Sequence, residues 1–340
     1  MAHDAARPRQ ATIHDVAAAA GLSRGTVSRV INGEPYVSPA AKAAVESAIV
    51  QVGYVPNTAA RNLKTRRSNA VALIVHEPHS LFLEDPNIGA ILLGTNTVLS
   101  AADYQLVTLI IDSDRDSDRV ADYLGGGFVD GVIIISARAE DPIGRAVAGM
   151  GIPAVFVGRP PGIDDIAYVG IDNVSAAHAI TERLVGTGRT RIGMIASALD
   201  RDSGRDRLGG FRAALGDRFD PGLVVEYPLY SYDSGLDGMR ELLRRAPDID
   251  GVFAASDAIA AGALEVLRSS GRKVPEDVGV VGFDDSAWAL RCQPALSTVR
   301  QPALTLGRAA AQRVLDQIAG SDEERSGTIL ETEIAWRESA

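Results

Sequence analysis

The chain has 340 residues, 46% of them hydrophobic, with a formal net charge of −10; that length suits two or three domains around a large core, not one small module. No run approaches 18 apolar residues, so no membrane span is expected, and the start, MAHDAARPRQ, lacks the apolar stretch of a signal peptide. A single cysteine, Cys292, permits no disulfide framework within the chain, which fits a cytoplasmic protein.

The charge is uneven. Residues 1–67 hold nine Lys/Arg against four acids, a net +5, and leave −15 for the rest. A basic head on an acidic body suits a phosphate-binding module whose body repels nucleic acid. In chain order, residues 1–11 read as an irregular arm. Thr12 then caps a helix whose Ile13, Val16, Ala17 and Ala20 form one apolar stripe. Gly21 ends that helix, since glycine tolerates the left-handed conformation of a C-terminal stop. Ser23 caps a second helix, with Val27, Val30 and Ile31 on one side and Arg24, Gly25, Ser28 and Arg29 on the other. Helix, glycine turn and helix with a small, cationic outer face is the helix-turn-helix plan, whose second helix enters the DNA major groove; a generic helical hairpin has the same bare pattern.

Asn32 and Gly33 open a turn, and Ser38-Pro39 starts a third helix with apolar positions Ala41, Val45, Ala48, Ile49 and Val52, stopped by Gly53. Asn57 can cap a short helix from Thr58 to about Lys64; so few turns are marginal alone and need a second copy or DNA to persist. From Val71 the pattern changes to short apolar runs at 71–75, 105–111, 131–135, 153–158, 168–171, 191–196, 223–227, 251–256 and 278–283, most separated by amphipathic stretches. Buried parallel strands with crossover helices read this way. At 159–167, RPPGIDDIA joins two strands without an evident helix, and we read it as a crossing between two α/β subdomains; further crossings are expected near 292–294 and 320–327. The expected organisation is a head at 1–56, a hinge helix and linker at 57–70, and a core at 71–340. Within the core, one subdomain takes about 71–160 plus 293–320 and the other about 161–292 plus 328–340. The fold class is thus an all-α helix-turn-helix head joined to an α/β core of two parallel-sheet subdomains, and the cleft between such halves is the default ligand site.

At this point the sequence resembles the LacI/GalR family of transcriptional regulators. TIHDVAAAAGLSRGTVSRVINGEPYVSPAAKAAVESAIVQVGYVPNTAARNLKT carries the head and hinge pattern almost without gaps. FVGRP (156–160), DRDSGRDRLGGF (200–211), SDAIAAGALEVLRSSGRKVPEDVGVVGFDD (256–285) and PALSTVRQPALTLGRAAAQRVL (294–315) match core landmarks in order. The resemblance implies a homodimeric repressor on a pseudo-palindromic operator, with a core like the periplasmic sugar-binding proteins. It implies phosphate-contacting and turn roles for Ser23, Thr26, Ser28 and Asn32, and base reading by Arg24, Gly25 and Arg29. Leu63 would wedge into the minor groove, flanked by Ala60 and Lys64, and Thr12 and Asn57 complete the DNA-facing set. In the core it implies effector contacts from Arg207, Asp284, Ser256, Asp257, Tyr230 and Arg201. One loop departs from the family. The usual Asp-Asn/Ser-Pro-Phe after the first core strand is replaced by His76-Glu77-Pro78-His79-Ser80-Leu81-Phe82-Leu83. That loop normally touches ligand, so His76 and Phe82 join the candidates while ligand identity does not transfer.

The residue types fit these roles. An arginine donates two parallel hydrogen bonds to guanine O6 and N7, worth roughly 1–3 kcal/mol of discrimination, and Gly25 lets backbone approach closely. An inserted Leu63 would unstack a base step and bend the duplex. In the cleft, arginine, carboxylate and an aromatic face from Tyr230 or Trp288 suit a saccharide, whose hydroxyls need donors and acceptors and whose ring face stacks. Arg207 with Asp284 also fits a plain structural ion pair, and Trp288 fits interface packing. No cofactor or metal is expected: His76-Glu77-Pro78-His79 lacks the H-E-x-x-H zinc spacing, and neither a G-x-G-x-x-G nor a P-loop is present. No triad or paired-carboxylate arrangement marks an enzyme. A transport-linked solute-binding protein would share the core but not the basic helical head.

Overall fold

The computed structural model describes residues 11–54, 67–139, 142–321 and 326–340. The chain divides into two units, Met1–Arg67 and Ser68–Ala340. The hinge candidates Asn57, Ala60, Leu63 and Lys64 lie outside the described residues.

In the small unit, α1 (Ile13–Ala20), α2 (Arg24–Ile31) and α3 (Pro39–Val52) form where the caps lead one to expect. The Asp15 carboxylate accepts from both the Thr12 N–H (2.7 Å) and the Thr12 hydroxyl (2.8 Å). Gly21 closes α1 at φ 66°. Ser23 Oγ accepts from the Thr26 N–H at 3.1 Å, and Ser38 Oγ from the Ala41 N–H at 3.3 Å, so each helix start has a side-chain acceptor for one otherwise orphaned donor. Val16, Val27, Val45 and Ala48 bury completely or nearly so and make one small core.

The large unit holds two six-stranded sheets. The first, in spatial order, is β11 (Gly327–Leu330), β5 (Ala167–Ile171), β4 (Ala154–Val157), β3 (Gly131–Ile135), β1 (Ala70–His76) and β2 (Gln105–Ile111). All its pairings are parallel. The second is β12 (Glu333–Ala335), β10 (Ser297–Arg300), β9 (Gly279–Asp284), β8 (Gly251–Ala254), β6 (Ile192–Ser197) and β7 (Val224–Tyr227), parallel except where β12 runs against β10. The central strands are apolar except at their last residues, His76 in β1 and Ser197 in β6, as suits strands covered on both faces. Helices α4 (His79–Glu84), α5 (Pro86–Ala101), α6 (Asp114–Gly125), α7 (Pro142–Met150) and α13 (Ala303–Ala319) accompany the first sheet. Helices α8 (Asn173–Gly186), α9 (Asp202–Leu215), α10 (Tyr232–Arg245), α11 (Asp257–Ser269) and α12 (Ala287–Arg291) accompany the second. Helices α5 and α13 touch backbone to backbone: a Cβ added at Gly94 would run into the Leu304 carbonyl, and one at Gly307 into the Ile91 carbonyl.

The crossings between the lobes fall later than the sequence suggests. Residues 158–166 do join strands without a helix, but β5 pairs beside β4 in the same sheet, Val155 opposite Ala167, so the first crossing follows Ile171. The second falls at 301–302, since β10 belongs to the second sheet. The third falls at 331–332, since β11 adds to β5 in the first sheet while β12 adds to β10 in the second. A missing helix reads as a domain crossing in sequence, yet neighbouring parallel strands here are linked by an irregular loop. The half-exposed edge strands β11 and β12 carried too little apolar signal to be placed.

Candidate functional site

On the small unit, Ser23, Arg24, Gly25, Arg29 and Asn32 are exposed, while Thr12, Thr26 and Ser28 are half-buried. The cap and the helix arrange this face: Thr26 Oγ1 and Ser23 Oγ lie 3.0 Å apart, Asn32 Nδ2 donates to Ser28 Oγ at 3.2 Å, and Arg29 Nε donates to the Gly25 carbonyl at 3.3 Å. A Cβ at Gly25 would meet only Ser23 Oγ, at an ordinary 3.7 Å. Among the described residues no packing contact demands a glycine there. The α2 N-terminus, with Ser23 at its cap, offers free N–H groups to a phosphate.

In the large unit, a cavity of about 440 Å³ lies between the two sheets, lined from both. Its walls are built where strands end: Glu77 follows β1, Ser136 follows β3, Arg201 follows β6 and Gln301 follows β10, while Asp284 is the last residue of β9. The carboxyl ends of parallel strands are the usual place for a ligand in open α/β sheets.

Of the cleft candidates, Arg201, Arg207, Tyr230 and Asp284 line this cavity together. Arg207, 5% exposed, donates through Nε to Asn173 Oδ1 at 3.0 Å and through Nη1 to the Ala255 carbonyl at 2.6 Å. Its guanidinium lies 3.7 Å from the centre of the Phe283 ring and 3.6 Å from Asp284 Oδ1. Gln301 Nε2 donates to the same Asp284 oxygen at 2.7 Å. Arg201 forms a buried bidentate pair with Glu77, one arm at 2.8 Å, which ties the second lobe to the first. Tyr230 presents its ring to the cavity with its hydroxyl 3.3 Å from Ser203 Oγ.

Burial shifts the acids. It pushes the Asp85 carboxyl up to about 6, with the Glu77 charge adding to the rise. It holds Asp284 well above the usual carboxylate range against the pull of Arg207, with Asp257 and Asp85 adding repulsion. Burial, opposed by the Thr298 and Ser286 hydrogen bonds, moves Asp257 to about 7.

The remaining candidates sit elsewhere. Ser256 caps α11 and, with Trp288, lines a narrow side recess next to Asp85 and Asp284. Trp288 stacks on Tyr232 with ring centres 5.8 Å apart and donates through Nε1 to the Glu84 carbonyl at 3.3 Å. Asp257 is fully buried and acts as a brace, accepting from Thr298 Oγ1 (2.6 Å) and the Ser286 N–H (2.7 Å). His76 ends β1 opposite Ile111 and is not among the cavity-lining residues; alternation along the strand gives that place to Glu77, one residue on. Phe82 packs against the apolar core instead. Sequence reasoning passed over Asp85, Asn173 and Gln301. Asp85 could be read as the cap before Pro86, but nothing local in the sequence aims it at a cleft.

Comparison with known proteins agrees with both halves. A profile of "Bacterial regulatory proteins, lacI family" matches residues 12–57, and one of "Periplasmic binding protein-like domain" matches residues 181–340. The HTH-type transcriptional regulator CelR of Thermobifida fusca is 46% identical over 98% of this chain and 99% of its own. The ribose operon repressor of Escherichia coli K12 is 30% identical over 91% and 93%. The chain belongs to the lacI family of bacterial regulatory proteins. Among solved structures, a transcriptional regulator CelR–cellobiose complex superposes with a TM-score of 0.78 at 43% identity, covering 98% of this chain and all of that one. A lac repressor dimer bound to operator and the anti-inducer ONPF superposes with a TM-score of 0.86 at 25% identity, covering 97% and 99%. As a lacI-family member the chain is a DNA-binding transcriptional regulator: the exposed face of α2 belongs to its DNA-binding region, and the cavity lies in its periplasmic-binding-protein-like core.

Proposed function

We propose that this regulator binds a pseudo-palindromic operator as a homodimer, acts as a repressor in the cytoplasm, and changes operator affinity when a small sugar occupies the cleft. The observation that carries the effector half is the cavity itself: buried arginine, carboxylate and amide groups beside the face of Tyr230 offer a polyol both donors and acceptors. The cellobiose complex of the similar CelR supports a β-linked glucose disaccharide as the first compound to try. On the DNA side, Arg24 and Arg29 read bases, Ser23, Thr26, Ser28 and Asn32 hold phosphates and the turn, and Thr12 sits at the edge of that face. The hinge set of Asn57, Ala60, Leu63 and Lys64 completes the interface over the minor groove. One head makes few contacts, and a second on a twofold axis doubles them and fixes half-site spacing. The protein works by binding, without turnover.

Footprinting of the full chain on its own upstream region tests this. A protected inverted repeat that weakens or strengthens with millimolar cellobiose is the expected result. Protection that no saccharide in a broad panel alters would refute the effector half, and protection without dyad symmetry would refute the dimer.

A further inference from the structure

We propose that Glu77 sets the charge of the effector: by neutralising Arg201 it makes the cleft a site for an uncharged polyol and closes it to sugar phosphates and sugar acids. This rests on the reading of the cleft as a sugar site. An anion needs a cation free to meet it, and each guanidinium lining the cavity is already engaged. Arg201 is held by both Glu77 oxygens. Arg207 is shared among Asn173, the Ala255 carbonyl and Asp284. Arg159 reaches Asp202 at 2.7 Å and Asp206 at 3.2 Å. Against these three arginines the walls present six carboxylates, including Asp85 and Asp284. Burial and neighbouring negative charge push both of those toward the neutral form, yet the other four acids of the lining still outnumber its three arginines. Hydroxyl groups add no charge, and they both donate to and accept from the groups present. A phosphate or carboxylate would bring further negative charge into a partly desolvated site, where like charges repel strongly.

Glu77 lies in the loop at 76–83, which stands in place of the Asp-Asn/Ser-Pro-Phe that the resemblance implies. It is 2% exposed and its partner Arg201 5%. Arg138 Nη2 also approaches it, at 3.3 Å, while Asp200 lies 3.4 Å from Arg138 and 3.8 Å from Arg201. Removing the Glu77 charge would leave two guanidiniums facing Asp200 alone, and the wall of the cavity would become an anion receptor.

Isothermal titration of the full chain with two matched pairs, cellobiose against cellobionate and glucose against glucose 6-phosphate, tests the assignment. Wild type should favour the neutral member of the pair it binds by at least about 100-fold, the order of effect of an uncompensated charge in a buried site. Glu77→Gln should narrow that ratio at least about tenfold by gaining affinity for the anion, a gain that mere damage to the fold does not produce. Asp206→Asn, at the half-exposed pair with Arg159, should move the ratio the same way by less, and it serves if Glu77→Gln does not fold. Wild type binding the anion as tightly as the neutral sugar, or an unchanged ratio in folded Glu77→Gln (in Asp206→Asn where Glu77→Gln does not fold), would overturn the role of Glu77 while leaving the sugar reading intact. No saccharide bound by wild type would overturn that reading, and this inference with it.

Discussion

The outer face of α2 and the walls of the cleft are built on opposite plans. Ser23, Arg24, Gly25 and Arg29 are exposed and follow one another within seven residues, and the contacts that order them stay within α2 and its cap. Glu77, Arg201, Arg207 and Asp284 are buried, lie up to about two hundred residues apart, and hold each other across two lobes. On the proposed function, residues of the first kind can be changed with modest effect on folding, and their loss is expected to show in DNA binding. Residues of the second kind are part of the fold, and their loss is expected to show in stability and ligand response together.

The widest separation of the two kinds should come from Arg24→Ala/Arg29→Ala. Two lost bidentate contacts remove roughly 2–6 kcal/mol of operator discrimination, while the thermal midpoint stays within a degree or so of wild type; a gel-shift titration beside a melting curve checks both. Next is Arg207→Ala, which takes the buried cation from Asp284, leaving Gln301 and Asn87 bonded to its carboxyl, and strips the cation from the Phe283 ring. A cost of about 3–5 kcal/mol in urea unfolding is expected, together with loss of the effector response, because one member of a buried pair is removed.

Asp85→Asn probes the charge of the cleft. The native carboxyl titrates at about 6 and an unfolded one at the ordinary 3.8, so the folded state binds the proton more tightly. Its stabilising share is full below about pH 4 and fades as the pH rises to about 6. Asparagine keeps the cap on the Asn87 N–H and abolishes the titration. The difference between variant and wild-type stability should therefore shift in the variant's favour between those pH values, by about 3 kcal/mol. The smallest effect is expected for Ser23→Ala, which removes the acceptor for the Thr26 N–H and should cost the head about 1 kcal/mol, read as earlier melting of its helical signal.

The same contrast explains what was legible in the sequence. Thr12, Gly21, Ser23, Ser38 and Gly53 are local signals that act through the nearest backbone groups, so the three head helices could be placed from them alone. The central strands were legible because burial on both faces makes them continuous apolar runs. β11 and β12 were not, because their exposure and order are set by partners far away in sequence. In the cleft, the landmark residues Arg201, Arg207, Tyr230 and Asp284 came from resemblance and converge as expected. Ser256 and Trp288 line a side recess, Asp257 braces the wall, His76 lies outside the cavity lining and Phe82 packs on the core: whether a residue at a strand end faces the cavity, braces the wall or joins the core depends on a half-turn of backbone that no motif encodes. Asp257 is the plainest case, since its carboxylate is taken up by Thr298 and Ser286.

The three crossings at 172, 301–302 and 331–332 have a mechanical consequence. Three short tethers between the same two bodies resist sliding and leave rotation about the line of the seam as the soft mode. Gln301 sits on one of these tethers and is bonded to Asp284 on the cleft wall. A chain cut short after α13 would lose the outer strand of both sheets and one of the three tethers in a single stroke.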